Sequence, residues 1–239
     1  MKTITRKSDI NVLLEKCFTA YQIDHLAGCI STLQVHILSQ KVKFPLLEFC
    51  AAQLYERIPQ REHISLCDGV HALKTEGGNV ILGILLQKRL TEHFSESMEK
   101  ATEYISKADI WYVCDIIGER VYGYSLLHDP KKTIPVLKKL SKHPINWVIR
   151  SLGAGSHYAI KKGLDKKNVS TVFKLLLTMA NTKDKEIRQG VGWAAKTTAK
   201  FHPTIIDDFK VDVENTEHVA NWFRKKIEIG LQRNTYLKS

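Results

Sequence analysis

Long apolar runs are missing from this chain of 239 residues. Even Val80-Ile81-Leu82-Gly83-Ile84-Leu85-Leu86 falls far short of the roughly 20 residues needed to cross a bilayer, which excludes a membrane-spanning helix. The opening MKTITRKSDINVLLEKC lacks the apolar core and small-residue cleavage site of a signal peptide, so a cytoplasmic location is expected, without membrane attachment. Cysteine is scarce: Cys17, Cys29, Cys50, Cys67 and Cys114 are odd in number and form no CxxC pair. They read as small buried hydrophobes in a reducing compartment, with no disulfide and no structural zinc. The ten histidines show neither HExxH nor any other paired ligand spacing, so no metal is expected. Phosphate-binding glycine loops are absent too, because the GGN and GAG stretches lack a strand–turn–helix setting.

What is present is an ordinary folding composition with an uneven charge. Hydrophobic residues make up 44% and charged residues 26%, which suits a packed globular chain and excludes a disordered one. The net charge is +11. Residues 1–130 carry 14 Lys and Arg against 16 Asp and Glu, a net of −2, whereas residues 131–239 carry 22 against 9, a net of +13. Such an excess in one half suits a polyanion such as nucleic acid, and equally a solvated lysine-rich surface.

Nearly every segment follows the helical period, and strand-like alternation is scarce. Leu13, Leu14, Cys17, Phe18 and Tyr21 mark one apolar stripe, and Phe44, Leu47, Ala51 and Leu54 another. Further helical patterns run over 61–74, 78–92, 94–106, 109–124, 131–141, 144–162, 168–180, 184–201 and 215–231, punctuated by Gly77-Gly78, Asp129-Pro130, His143-Pro144, Gly163 and His202-Pro203. Ser106-Lys107-Ala108-Asp109 has the spacing of a capping box, which puts Trp111 in the first turn of its helix. About a dozen helices with short connections predict an all-α fold, an α-solenoid of stacked antiparallel helix pairs with a concave basic face, as one domain over residues 1–239. Trp111, Trp147 and Trp193 recur at separations of 36 and 46, which bracket the period of HEAT-type repeats.

Trp111 and Asp115 stand four residues apart, which puts indole and carboxylate on one helix face, followed by Gly118 and Tyr122. A capped or salt-bridged aspartate beside a core tryptophan has this pattern, and so does a site for a planar cation. Trp147 and Arg150 stand three apart, with Gly153 and Gly155 after them; Gly190 and Gly192 precede Trp193, whose face continues through Lys196 and Lys200. A glycine inside a helix costs about 1 kcal/mol relative to alanine, so these mark either ligand approach or close helix packing. Trp222, in NWFRKK, reads as a core residue of the last helix.

The segments DIWYVCDIIGERVYG, NWVIRSLGAGSHYAIKKGLDKKNVSTVFKLL and EIRQGVGWAAKTTAKFHPTII resemble, in this order, those of the AlkD-type DNA alkylation-repair glycosylases, a family built from HEAT-like helical repeats. The resemblance covers roughly residues 95–210. It matches Trp111 and Asp115 to the family's tryptophan–aspartate pair, Arg150 to its arginine and Trp193 to its last tryptophan; residue 149 is isoleucine where the family commonly has a second arginine. Tyr21, Phe44 and Tyr55 are candidates for the aromatics that help cradle DNA in its N-terminal part.

The resemblance implies a monomeric DNA glycosylase that removes N3- and N7-alkylated, cationic purines from double-stranded DNA without a cofactor. Asp115 is then the catalytic carboxylate, Trp111 and Trp193 flank the damaged nucleotide, Arg150 holds a phosphate, and Lys196 and Lys200 contact the backbone. Two rivals remain: a HEAT-like protein that binds damaged or branched DNA without cutting it, and a protein–protein adaptor with a basic surface.

Overall fold

The computed structural model describes residues 3–235. Apart from a two-residue parallel pairing of β1 (Thr3–Ile4) with β2 (Lys41–Val42), the regular structure among the described residues is helical. The fold is all-α. No helix of the described residues is long and apolar enough to cross a membrane, and all five cysteines are free and buried. Contacts gather the chain into two compact units, one up to Lys100 and one from Ala101 onward.

The first unit holds α1 (Lys7–Leu33), α2 (Phe44–Arg57), α3 (His63–Ala72) and α4 (Glu76–Arg89). In α1 the helix breaks at Asp24 and His25, the latter at φ 45°. Most of the expected stripes is core: Leu14, Cys17, Phe18, Leu47, Ala51 and Leu54 are buried, whereas Leu13 and Tyr21 are half-buried and Phe44 is exposed; α2 packs on α4. Buried Arg89 is ion-paired with Glu96, and its guanidinium also donates to the Gln60 carbonyl. Of the N-terminal aromatics, Tyr21 donates to Glu62 at 3.1 Å and Tyr55 lies 4.5 Å from the His63 ring. Helix α5 (Phe94–Ser106) runs through the boundary between the units.

The second unit is a repeat of a helix and its return. Its front helices are α6 (Trp111–Ile117), which continues through a π-helical segment (Gly118–Gly123) into α7 (Tyr124–His128), then α9 (Asn146–Lys161), α11 (Lys185–Phe201) and α14 (Asn221–Thr235). The return helices are α8 (Pro130–Leu140), α10 (Lys166–Leu177) and the short pair α12 (Pro203–Asp208) and α13 (Lys210–Glu214). Aspartates start α8, α10 and α11: Asp129, Asp165 and Asp184 accept from the amides of Lys132, Asn168 and Ile187, satisfying donors that a helix start leaves open. Gly163, at φ 101°, terminates α9.

Two sequence expectations change here. Ser106 ends α5 and its hydroxyl donates to the Glu103 carbonyl; α6 starts at Trp111 from Ile110, with no side-chain cap, so there is no capping box. Trp111 is nonetheless in the first turn. The repeat is also set by other tryptophans. Trp111, Trp147 and Trp222 occupy the first or second residue of α6, α9 and α14, whereas Trp193 lies two turns inside α11. Contacts between successive front helices confirm the register: Asp115 with Arg150, Arg150 with Glu186, His157 with Trp193. In each contact the residue number rises by about one helix-and-return, so the front helices run parallel, each return helix antiparallel between them.

Glycine fixes how closely they approach. A Cβ on Gly118 would lie 2.7 Å from the Ser151 carbonyl oxygen, and one on Gly190 only 2.2 Å from that of Arg150. Between the two readings left open by the sequence, close helix packing holds for Gly118, Gly153, Gly155 and Gly190, each of which faces a neighbouring backbone.

Candidate active site

Close packing of α6, α9 and α11 brings their first two turns together, and with them three charged side chains. The Arg150 guanidinium donates from Nε to Asp115 Oδ1 at 2.9 Å and from Nη2 to Asp115 Oδ2 at 2.8 Å, a two-pronged pairing that fixes the carboxylate plane. Its Nη1 donates to Glu186. Side-chain exposures of 11% for Arg150 and 13% for Asp115 leave both mostly shielded, with Asp115 still reachable. Burial works against the guanidinium charge, but the hydrogen bonds and charges of Asp115 and Glu186 outweigh it and hold its pKa above the usual arginine value.

Two carboxylates share one guanidinium, so the cluster carries a formal charge of −1. Each Asp115 oxygen accepts one bond from Arg150 and keeps a second lone pair for another partner. The aromatic walls are Trp111 and Trp147, each with its ring centroid 5.9 Å from the guanidinium carbon. Trp111 is 54% exposed, an open indole face beside a fixed carboxylate. The π-helical segment begins three residues after Asp115; such wide turns recur at functional sites.

The other expected residues lie further along α11, Trp193 about 10 Å from Glu186, Lys196 about 15 Å and Lys200 about 21 Å. Trp193 stacks on His157 at 4.0 Å with rings inclined by 23°. His157 Nδ1 is 2.6 Å from Thr197 Oγ1, whose single proton goes to the Trp193 carbonyl, so Nδ1 is the donor to the hydroxyl. Burial, with Lys161 and Lys196 nearby, pushes the His157 pKa down to about 4. Lys196 is half-buried, and its own pKa is lowered by burial and by Arg233 and Lys226 of α14. Lys200 stands over the Phe201 ring at 5.0 Å.

The structure thus brings Trp111, Asp115 and Arg150 together and gathers Trp193 and Lys196 into a separate basic patch on the same helices. Arg150, expected at a phosphate, is engaged with two carboxylates. Glu186 and the role of Trp147 were missed. No local spacing pointed to Glu186, which reaches Arg150 across 36 positions. Trp222, expected in the core, is half-buried, donating to the Thr182 carbonyl under the Arg188 guanidinium.

Comparisons with known proteins bear on the family and the fold. The family model described as DNA alkylation repair enzyme matches residues 42–225. The crystal structure of AlkD2 from Streptococcus mutans superimposes with a TM-score of 0.69 over 86% of this chain and 97% of that one, at 14% sequence identity. A search of curated proteins finds no match. With the model spanning most of the chain, including both clusters of front-helix residues, this protein belongs to the DNA alkylation repair enzyme family.

Proposed function

We propose that the protein is a DNA glycosylase that hydrolyses the N-glycosidic bond of N3- and N7-alkylated purines in duplex DNA. The observation that carries this reading is a carboxylate, Asp115, clamped by Arg150 beside the exposed face of Trp111. Alkylation at these ring nitrogens makes the base cationic and a good leaving group, so no cofactor is needed to activate it. A cluster of net charge −1 between two indoles suits that cation and disfavours its neutral counterpart.

The C1′–N bond breaks with its electrons passing to the base, which leaves neutral, while positive charge develops on the sugar. Asp115 stabilises that charge and orients the water adding at C1′, whose proton passes to the carboxylate. Because its carboxylate is already held in plane, little reorganisation precedes the transition state. Arg150 is here a positioning residue, oriented in turn by Glu186. The patch around Trp193, Lys161 and Lys196 lies about three base steps away along a strand and takes the phosphodiester backbone, with Lys200 extending it.

Release of 7-methylguanine from methylated duplex DNA, followed for wild type and Asp115→Asn, tests this. Asparagine keeps the size and one acceptor but turns an amide donor toward Arg150, so the thermal midpoint should fall by several degrees, and circular dichroism checks that the variant is folded. Release by the wild type with a loss of at least 10²-fold in the variant is expected. No release from N3- or N7-alkylpurines by the wild type, with duplex binding intact, would instead make the protein a non-cleaving DNA binder.

A further inference from the structure

The return helices of the second unit carry a groove that has no part in the site described above. Between α8 and α10 lies a cavity of about 520 Å³, and Lys138, Lys142 and Lys174 stand exposed around it. None of the three has an ion-pair partner among the described residues. The floor between them is uncharged, lined by Leu175 and Met179 with Ser141, Thr171 and Thr178. A second cavity of about 250 Å³ shares Lys174 and Thr178 with the first, so the two form one trough. Its lining adds Leu177, Phe209 and Val219, and also Asp212. Phe209 is held in place edge-on by Phe173 at 5.5 Å.

We propose that this trough is a docking site for an acidic peptide segment of a partner protein, one that carries apolar side chains next to its carboxylates. Charge complementarity requires an anion at the three lysines. The floor selects among anions. A phosphodiester backbone meets lysines but buries no apolar surface, so the half-exposed side chains of Leu175 and Leu177 would remain wet beneath it. A peptide with a large apolar side chain fills the floor and places carboxylates on the rim, satisfying both features. Asp212 gives the segment a direction: its carboxylates lie over the first cavity and its apolar end over the second. The site shares no residue with Asp115, Arg150 or Trp193, so the partner can dock while DNA is engaged.

Fluorescence anisotropy with two labelled peptides tests the proposal on the full chain. One peptide is rich in aspartate and contains two phenylalanines; the other replaces the phenylalanines with serine. The expected result is salt-sensitive binding of the first, at least tenfold weaker binding of the second, and at least tenfold loss for Lys174→Glu. Lys174→Glu should leave duplex-DNA affinity within twofold of wild type. Equal binding of both peptides, no binding of the first, or a Lys174→Glu variant that loses DNA affinity in place of peptide affinity would each overturn it. Circular dichroism confirms that the variant is folded, and Leu175→Ser, at a half-exposed position of the floor, provides an independent lesion with the same expected loss.

Discussion

His157 is a residue whose surroundings predict a solution property. Stacked on Trp193, bonded through Nδ1 to Thr197 and faced by Lys161 and Lys196, it resists protonation down to about pH 4. In the unfolded chain its pKa returns to about 6.5. Below that pH the unfolded state takes up a proton that the folded state refuses, so stability is complete above pH 6.5 and falls as pH drops toward 4. The ring keeps some contact with water, which limits the loss to ~1 kcal/mol. Urea denaturation at pH 7 and pH 4.5 should show that part of the pH dependence in the wild type and not in His157→Gln; equal slopes in the two proteins would remove the assignment. At this scale the sequence was partly legible. Trp111 with Asp115, and Trp147 with Arg150, stood out at helical spacing, but only the resemblance to the AlkD-type family joined Trp111, Asp115 and Arg150 in one site. Glu186 could not be named, because its significance lies in reaching a guanidinium 36 positions away, which no local pattern states.

Helices carry the next level, and glycine decides their spacing. Gly190 lets the α11 backbone sit against the Arg150 carbonyl, and Gly153 faces the same crossing from α9. Gly190→Ala puts a methyl 2.2 Å from that oxygen, and backbone cannot swing away as a side chain does. Overpacking of this kind costs ~3 kcal/mol or more, corresponding to a fall of roughly 6–12 °C in thermal midpoint for a chain of this size. Gly163→Ala is the control: nothing lies near its Cβ and only the positive φ is strained, about 1 kcal/mol. Equal midpoints for the two variants would mean that the crossing tolerates a methyl. The helical period was enough to find most elements, because amphipathic stripes such as that of α11 report burial directly. It could not show that Gly118 and Gly190 serve backbone contact, nor that Trp222 and not Trp193 is equivalent to Trp111. Both facts depend on register between helices, and the similarity between repeat units is too weak in sequence to give it.

Charge acts at the scale of the whole molecule. On the proposed function, the excess of +13 in residues 131–239 favours a polyanion at the second unit, while the cluster of net charge −1 beside Trp111 disfavours phosphates and suits a cation. Duplex binding should therefore weaken steeply with salt, with log K falling linearly against log salt by ~0.9 for each phosphate neutralised. Two substitutions divide that slope between surfaces. Lys196→Gln, in the patch with Trp193, removes one backbone contact and should lower the slope by about 1 while weakening binding to methylated and unmethylated duplex alike. Lys138→Gln, on the outer trough, should leave the slope unchanged. Titrations at several salt concentrations distinguish the surfaces: a slope altered by Lys138→Gln and untouched by Lys196→Gln would place DNA on the return helices and overturn the assignment of the front helices as the DNA-facing layer.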